Sequence, residues 1–423
     1  MTDHIHDVIG IGFGPSNLAL AIALHERQSS LDHLFLEAQP RFAWHPGMMI
    51  EGADMQVSFL KDLVSLRDPT SDFSFLSYLY RKGRLERFIN RKTFFPSRVE
   101  YNDYLAWAAG RLDGVCRYDQ RVIGVTPVMR QGRVAHLCVQ TEAADGTRSQ
   151  YLTRQIVLAP GGAAYWPEPF DALQGVAGTS HSKDFLTALY PRVEAGQRIA
   201  VIGAGQSASE IFAALAEHPA APAVDLIQRS GALKPSDDSP FVNEVFFADR
   251  VDEMHRQTPE TRAKLLQDLA TTNYAATDLD LLQHIYGLFY EQDVAGGDRL
   301  RLHRDTRVTG AQAVENGIRV TLHGPKGAQT ARYDHVILCT GYRRDLAQSV
   351  LSGLAGWMTG KDPDRNYRLP MRQGFDAAVH VQGYSETTHG LSDTLLSLLA
   401  IRAEEIAKSL EGFASEDALI AAE

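Results

Sequence analysis

The stretch IHDVIGIGFGPSNLALAIAL, residues 5–24, contains a short apolar run, a glycine-rich turn and then small and apolar residues at helical spacing. The same pattern returns in QRIAVIGAGQSASEIFAAL, residues 197–215. Each copy is typical of a βα unit in which a strand ends at Gly-x-Gly and a pyrophosphate lies over backbone N–H groups at the helix N-terminus. The chain is therefore predicted to bind two dinucleotides.

Glycine is required at these positions of each turn for conformational and steric reasons. The first glycine of each Gly-x-Gly makes the tight turn, and the second lets the backbone approach phosphate without a Cβ in the way. Pro15 and Ala208 stand where a third glycine is usual; alanine is a variant of this fingerprint, and the fixed φ of proline suits a helix start. We assign the first pyrophosphate to Gly10, Gly12, Gly14 and Pro15, and the second to Gly203, Ala204, Gly205, Gln206 and Ser207.

The strand after each unit should end at the residue that contacts the ribose. In HLFLEAQP, residues 33–40, that residue is Glu37, whose carboxylate can accept hydrogen bonds from ribose hydroxyls. In VDLIQRS, residues 224–230, it is Arg229, and a guanidinium suits a 2′-phosphate, with Lys234 as a possible helper. The opposite charges favour FAD at the first site and NADPH at the second.

Two further segments, RQIVLAPGG at 154–162 and DHVILCTGY at 334–342, resemble buried strands that run into glycine turns. They predict a split FAD-binding domain, 1–165 and 335–423, around an NADPH-binding domain at 166–334. The loop 231–244 and the mostly helical stretch 258–292 place a substrate-binding segment at about 235–292, and 411–423 reads as a loosely held tail. The fold class is α/β, with two Rossmann-like domains and a small, mostly helical substrate region.

Composition limits the classes of function. The chain has 423 residues, enough for two or three domains, and its 42 Lys and Arg against 52 Asp and Glu give a net charge of −10. Nucleic acid is not an expected partner, because phosphate binding requires a basic surface. The three cysteines never form a CxxC pair, which argues against a disulfide reductase and a thiolate zinc site.

Location and metal content are predicted in the same way. The first residues lack the pattern of a secretory signal, and no run approaches the ~20 apolar residues of a transmembrane helix. We therefore expect a cytoplasmic protein. We predict no metal site, on the premise that the fifteen histidines offer neither HxH nor HExxH spacing.

Longer motifs carry a family resemblance. The segment DMQVSFLKDLVSLRDPTSDFSFLSYL at 54–79, the FVNE loop at 241–244, TNY at 272–274 and HGLSDTLLS at 389–397 resemble the flavin-dependent N-hydroxylating monooxygenases. The similarity is greatest to the L-ornithine N-monooxygenases of siderophore biosynthesis. It implies that NADPH reduces FAD, that O2 adds to give a flavin C4a-hydroperoxide, and that the neutral side-chain amine of L-ornithine attacks this species to give Nδ-hydroxyornithine.

The resemblance also implies roles for residues, although none is an obligatory acid or base. Lys61 would pair with the substrate carboxylate, and two asparagines would hold the amino acid. The implied substrate-binding set is Lys61, Asn243, Glu244, Val245, Phe246, Asn273 and Ser397. The additional FAD-contacting set is Trp44, His45, Gln56, Val122, Thr394, Leu395 and Leu396, and Asn273 and Tyr274 would also touch NADPH. A simpler interpretation of the last motif is a helix capped by Ser392 or Asp393. The family further implies a homo-oligomer, a dimer or tetramer.

Three alternatives remain open at this point. The same chemistry could act on L-lysine or on a diamine, because one methylene changes binding by only about 1–3 kcal/mol. The protein could instead be an NADPH-dependent flavin reductase or oxidase that releases H2O2. A non-enzymatic nucleotide-binding or redox-sensing module would need neither Lys61 nor the FVNE loop.

Overall fold

The computed structural model describes residues 4–112, 114–346 and 349–422. The strands are β1 (Ile5–Ile11), β2 (His33–Leu36), β3 (Cys116–Arg117), β4 (Arg121–Arg130), β5 (Arg133–Glu142), β6 (Arg148–Leu158), β7 (Ala163–Ala164), β8 (Thr179–His181), β9 (Arg198–Ile202), β10 (Ala223–Ile227), β11 (Lys234–Pro235), β12 (Ala276–Thr277), β13 (Leu300–His303), β14 (Arg307–Val314), β15 (Gly317–Gly324), β16 (Gly327–Tyr333), β17 (His335–Leu338), β18 (Tyr342–Arg343) and β19 (Ala378–Val381).

The α-helices are joined by short turns, several of them 3-10. They are α1 (Pro15–Glu26), α2 (Phe75–Arg81), α3 (Leu85–Asn90), α4 (Arg98–Ala109), α5 (Gln206–Ala216), α6 (Pro240–Asn243), α7 (Ala248–Arg256), α8 (Pro259–Asp268), α9 (Leu279–Val294), α10 (Glu386–His389) and α11 (Leu399–Ala422).

The first sheet is built around β1 and β6. Its parallel part has the order β3-β2-β1-β6-β19, and β4 and β5 extend it as an antiparallel meander. The long strand β6 serves both parts, because its first half pairs with β5 and its second half with β19. Helix α1 packs against α11, and its side chains from Asn17 to Leu24 are all buried, as expected for a helix without a polar face.

The second sheet is wholly parallel, with the order β13-β10-β9-β17-β8, and α5 follows β9 as α1 follows β1. A three-stranded antiparallel sheet, β14-β15-β16, lies beside it. Each of the two main sheets contains a βα unit with a glycine turn. The α/β fold class with two Rossmann-like units is therefore confirmed.

The chain passes twice between the sheets. It leaves the first sheet after β6 and returns after β17, and the two crossing segments pair with each other as β7 and β18. Strand β17 belongs to the second sheet, so the predicted boundary at 335 falls one strand too early, and the crossing follows Leu338. An apolar strand buried on both faces does not reveal from its sequence which sheet it joins.

The region 235–292 carries short helices and one small strand pair. Helices α6 to α9 lie here, and β11 pairs with β12 across the segment. Helix α10 packs against α7 and α8, which brings this region to the segment that precedes α11.

The C-terminus differs from the predicted loose tail. Helix α11 continues to Ala422. Within it Glu404 and Glu411 pair with Arg27, at 2.7 and 2.5 Å, and Leu410 is fully buried. These contacts attach α11 to the end of α1. The small and charged residues of the C-terminal segment also favour a helix. No helix in the described ranges has both the length and the apolar character needed to cross a bilayer.

Candidate active site

The first glycine turn lies where β1 ends and α1 begins. Gly12 has a φ of +84°, and a Cβ there would come within 2.6 Å of the carbonyl oxygen of Ala159, so only glycine fits. Gly14 is the N-cap of α1, where an added Cβ would meet open space, and Pro15 is the first helical residue. The turn therefore has the geometry that brings a phosphate to a helix N-terminus.

The carboxylate of Glu37 is tied to this turn. It accepts the N–H of Phe13 at 2.7 Å and the N–H of Gln39 at 2.9 Å, directly after the end of β2. The predicted ribose ligand thus lies beside the glycine turn, in a half-buried position. A flavin dinucleotide fits these residues, with its pyrophosphate at α1 and a ribose at Glu37.

The second glycine turn repeats the arrangement at β9 and α5. A Cβ on Gly203 would lie 2.7 Å from the carbonyl oxygen of Cys339, at the end of the neighbouring strand β17. Gly205 is the N-cap of α5, with Ala204 before it and Ser207 in the first turn.

The N-caps of α1 and α5 differ from those of α2, α4 and α8. Ser74, Ser97 and Thr258 cap α2, α4 and α8 through their hydroxyl oxygens. The glycine N-caps of α1 and α5 provide no such bond. Their first-turn N–H groups are left for a ligand, and this pair of uncapped helices fits two pyrophosphates.

The side chain of Gln206 belongs to a network of polar side chains that links the two sheets. Its side chain bonds to Asp278 and to Glu210, at 2.8 to 3.1 Å, and Asp278 also accepts from Gln56 at 3.3 Å. Arg98 donates two hydrogen bonds to Glu210, of 2.6 and 2.7 Å. Burial raises the pKa of Glu210 and of Asp278. Gln56, implied at the flavin, and Gln206, implied at NADPH, therefore share the carboxylate of Asp278. The sequence did not single out this residue.

Arg229 follows the end of β10 and is exposed. Among the described residues its guanidinium has no hydrogen-bond or ion-pair partner. Beside it, the amide of the buried Gln228 also lacks a side-chain partner within the same ranges. Two unpaired polar groups at the end of a parallel strand fit a 2′-phosphate ribose.

Replacing Arg229 with alanine should lower the preference for NADPH over NADH by about 10- to 100-fold, because charge-assisted bonds to the 2′-phosphate are lost. The measurement is kcat/KM for flavin reduction with each nucleotide. Arg319→Ala, at an exposed arginine of β15, is the matched control. An unchanged ratio in Arg229→Ala would remove this residue from the nucleotide site.

Lys61 lies in a rigid loop. The buried carboxylate of its neighbour Asp62 accepts the N–H groups of Val64, Ser65 and Phe75 at 2.7 to 2.9 Å. The Lys61 side chain is half-buried, burial lowers its pKa, and within the described ranges no carboxylate pairs with it. A partly desolvated ammonium without a counter-charge suits an anionic ligand. Asp62 was not predicted from sequence; its bond to Phe75 joins the Lys61 loop to a later segment.

The FVNE residues form a short helical turn. Asn243 donates its amide N–H to the carbonyl of Asp238 at 2.8 Å, and Glu244 pairs with Arg250 at 3.3 Å. Val245 is half-buried and Phe246 is buried. The turn Glu244–Phe246 packs against Leu391–Thr394, so this loop reaches the segment implied at the flavin.

Asn273 and Tyr274 differ in the contacts of their side chains. The half-buried amide of Asn273 makes no side-chain hydrogen bond to any described residue. The Tyr274 hydroxyl donates to Glu386 at 2.5 Å, and burial and this carboxylate raise the pKa of Tyr274 to about 12. Tyr274 also interacts with the side chain of Thr394. Asn273 is thus available for a ligand, whereas Tyr274 joins the 235–292 region to the end of the first sheet.

Trp44 and His45 lie between β2 and α2. His45 has a φ of +47° and is exposed, and the surrounding protein and the guanidiniums of Arg98 and Arg344 lower its pKa to about 4. It is therefore a neutral imidazole near pH 7. The N–H of Trp44 donates to Asn102 at 3.0 Å. Val122 is half-buried on β4.

The HGLSDTLLS segment is not capped as the simpler interpretation predicts. Leu391–Thr394 form a separate 3-10 turn, and α11 begins only at Leu399. Ser392 and Asp393 therefore do not cap that helix. Leu395 and Leu396 are half-buried, and Ser397 is buried.

A buried arginine fixes this segment to the first glycine turn. Arg402 of α11 donates to both the main chain and the carboxylate of Asp393, to Gln382 at 3.1 Å and to Ser16 at 3.1 Å. Gln382 in turn donates to Asn17 at 2.9 Å, and Asn17 donates to the carbonyl of Gly12 at 2.7 Å. This Arg402 network joins three distant parts of the chain, and no local pattern could have revealed it.

The structure thus brings together some predicted residues and not others. Gln56 meets Asp278 beside Gln206, and Tyr274 meets Glu386 beside Thr394. Lys61 makes no hydrogen bond to Asn243 or Asn273 in the described ranges, so the meeting of these three at one ligand stays a prediction.

The fold and site define a class of protein: an α/β protein with two dinucleotide-binding βα units, one carrying an acidic and the other a basic residue at its ribose position. The family model described as L-lysine 6-monooxygenase/L-ornithine 5-monooxygenase matches residues 4–344. The chain belongs to this family, and the resemblance read from its motifs is confirmed.

Relatives and solved structures agree with this assignment. An L-ornithine N(5)-monooxygenase from Pseudomonas aeruginosa is 43% identical over 414 residues, covering 96% of this chain and 94% of the relative. The solved ornithine hydroxylase from the same species superposes with a TM-score of 0.93 at 42% identity, over 97% of this chain and 100% of that one. An ornithine N-hydroxylase from Kutzneria sp. 744, described with reduced FAD, NADP⁺ and L-ornithine, gives 0.91 at 34% identity, over 97% and 99%.

Proposed function

We propose that this protein is an FAD- and NADPH-dependent L-ornithine N5-monooxygenase that hydroxylates the side-chain amine of L-ornithine with O2, giving Nδ-hydroxyornithine for a hydroxamate siderophore. Family membership and the ornithine-hydroxylating relatives over nearly the whole chain support the reaction. Within this chain, the observation that carries it is Lys61, a half-buried ammonium without a protein counter-ion on a loop made rigid by Asp62.

The two nucleotides would be bound by separate sets of residues. FAD would be held by the uncapped N-terminus of α1, by Glu37 and by the segment before α11. NADPH would be held by the N-terminus of α5 and by Arg229. When bound, FAD supplies electron transfer and O2 activation, which no side chain of the protein provides.

The remaining residues would orient the substrate. Lys61 binds its carboxylate, and the free amide of Asn273 can both donate and accept. With the α-carboxylate fixed, the far amine is directed to the flavin, and the short turn Glu244–Phe246 limits entry of water beside Leu391–Thr394. Asn243, by contrast, would contribute through its side-chain carbonyl oxygen or its second N–H, since one N–H is used in the turn.

L-Lysine is the second candidate substrate, because the matched family description includes L-lysine 6-monooxygenases. Purified FAD-loaded protein with NADPH should be mixed separately with L-ornithine, L-lysine and putrescine, and hydroxylamine product and H2O2 measured together. Hydroxylated L-ornithine formed in step with NADPH use is the expected result. Product from lysine alone would reassign the substrate, and peroxide without hydroxylamine for every amine would indicate an oxidase.

The pH dependence of substrate binding should report on Lys61. Burial lowers the pKa of Lys61 from its ordinary value of 10.5, so its charge is lost at a less alkaline pH than for a free lysine. The KM for L-ornithine should therefore rise as pH increases through this lowered pKa. Lys61→Arg keeps its charge and should lack this component, while the substrate's own titration affects both proteins equally. Identical KM profiles would contradict the assignment.

Location and assembly belong to the same proposal. A reducing, cytoplasmic compartment is consistent with three free cysteines and with a need for NADPH. Assembly into a homo-oligomer rests on the family, and sedimentation of the FAD-loaded protein measures it.

A further inference from the structure

Three side chains converge at the start of the first sheet. His4 immediately precedes β1 and His6 lies within it, so the two imidazoles, two residues apart, face the same side. Nε2 of His4 and Nδ1 of His6 lie 2.6 and 2.8 Å from the same carboxylate oxygen of Asp32. We propose that His4, His6 and Asp32 form a binding site for a divalent transition-metal ion such as Zn²⁺.

The donor set has the chemistry of such a site. Two imidazole nitrogens and one carboxylate oxygen suit Zn²⁺ and its neighbours, whereas Mg²⁺ prefers oxygen alone. The three ligand atoms lie within 4.8 Å of one another. With bonds of about 2.0–2.1 Å, tetrahedral ligand atoms are about 3.3 Å apart, so each imidazole nitrogen would move by about 0.5 to 0.7 Å away from the carboxylate oxygen. His4 and Asp32 are 61% and 46% exposed, which gives an ion access and leaves a position for water.

The backbone around the site is already fixed. The N–H of Asp32 donates to the carboxylate of Asp7 at 3.0 Å, and the N–H groups of Asp7 and Val8 donate to the carbonyl of Asp32 at 2.9 and 3.1 Å. Asp7 is itself held by Arg154 at 2.8 Å. These contacts around the first ligands orient the Asp32 loop against β1, which is the usual condition for tight metal binding.

The site is separate from the proposed active site. Gly12 lies six positions after His6 along extended chain, which corresponds to about 20 Å. The expectation of no metal site rested on finding neither HxH nor HExxH spacing, and it overlooked His4-Ile5-His6, an HxH spacing that sets two ligands on one strand face. The inference therefore goes beyond the proposed function and does not depend on it.

The test is a calorimetric titration of the untagged, full-length, FAD-loaded protein with Zn²⁺. Co²⁺ in place of Zn²⁺ gives a visible absorption band as an independent signal. One equivalent should bind, and Mg²⁺ should not compete. His4→Ala and Asp32→Asn should each weaken Zn²⁺ binding by at least about tenfold.

His284→Ala is the matched control, because His284 is also an exposed imidazole beside a carboxylate, Glu217, at 3.1 Å. It should bind Zn²⁺ as the unaltered protein does, and His4→Ala should hydroxylate L-ornithine at the unaltered rate. Absence of saturable Zn²⁺ binding, or equal affinity in His4→Ala, Asp32→Asn and the unaltered protein, would overturn the proposal. Amine hydroxylation is measured in the same samples, so a failure of the proposed function is recognised separately.

Discussion

Replacing Lys61 with alanine is expected to raise the KM for L-ornithine about a hundredfold, equivalent to about 2.7 kcal/mol, while flavin reduction by NADPH stays nearly intact. The half-buried ammonium has no carboxylate partner in the described structure, so its main electrostatic use is with a ligand. Removing it would delete the proposed anchor of the substrate carboxylate and leave both glycine turns untouched. The product-to-NADPH ratio should also fall, because a loosely held amine meets activated oxygen less often.

Steady-state kinetics and rapid-mixing measurement of flavin reduction test this expectation. Lys82→Ala is the control, because Lys82 is a nearby exposed lysine that pairs with Asp103 at 3.3 Å. Comparable damage to substrate KM and to flavin reduction would mean that Lys61 supports the fold rather than the ligand.

Arg402→Met is expected to destabilise the protein by about 3–5 kcal/mol and to weaken FAD binding. Arg402 is 3% exposed, and its loss leaves the buried carboxylate of Asp393 without its cation and Gln382 and Ser16 without a donor. The network ends at the carbonyl of Gly12, so the first glycine turn and the segment before α11 should loosen together.

Urea unfolding and titration with FAD measure the two effects. Arg27→Met is the control on the same helix pair, because Arg27 is 28% exposed and its ion pairs with Glu404 and Glu411 are partly solvated, so its loss should cost about 1 kcal/mol or less. Adding Asp393→Asn to Arg402→Met should recover part of the stability, since the unpaired charge is then removed. Equal losses for the two single variants would contradict this account.

Several residues could be placed from sequence because their positions depend on a few neighbours. Glu37 and Arg229 each follow a short strand after a βα unit, and in the structure Glu37 comes directly after β2 and Arg229 two residues after β10. Gly12 and Gly203 are similarly determined, since the close approach to Ala159 and Cys339 follows from the parallel strand order. Lys61 was assigned only through its motif, because nothing local distinguishes it from a solvated lysine.

Other features required the folded chain. Asp62 holds the Lys61 loop through Phe75, thirteen residues away, and Arg402 reaches Ser16, 386 residues away. Strand β17 joined the second sheet although its sequence suits either sheet. Asp393, a suitable N-cap by sequence, instead accepts from Ser385 and Arg402.

Hydrophobic periodicity and glycine spacing were sufficient to identify two Rossmann-like units and to predict an acidic and a basic residue at their ribose positions, because these properties arise within about thirty residues of continuous chain. Which buried carboxylates, amides and guanidiniums meet was decided only by the packing of the two sheets. A buried polar group must find a partner wherever the fold supplies one, and that partner is often hundreds of residues distant.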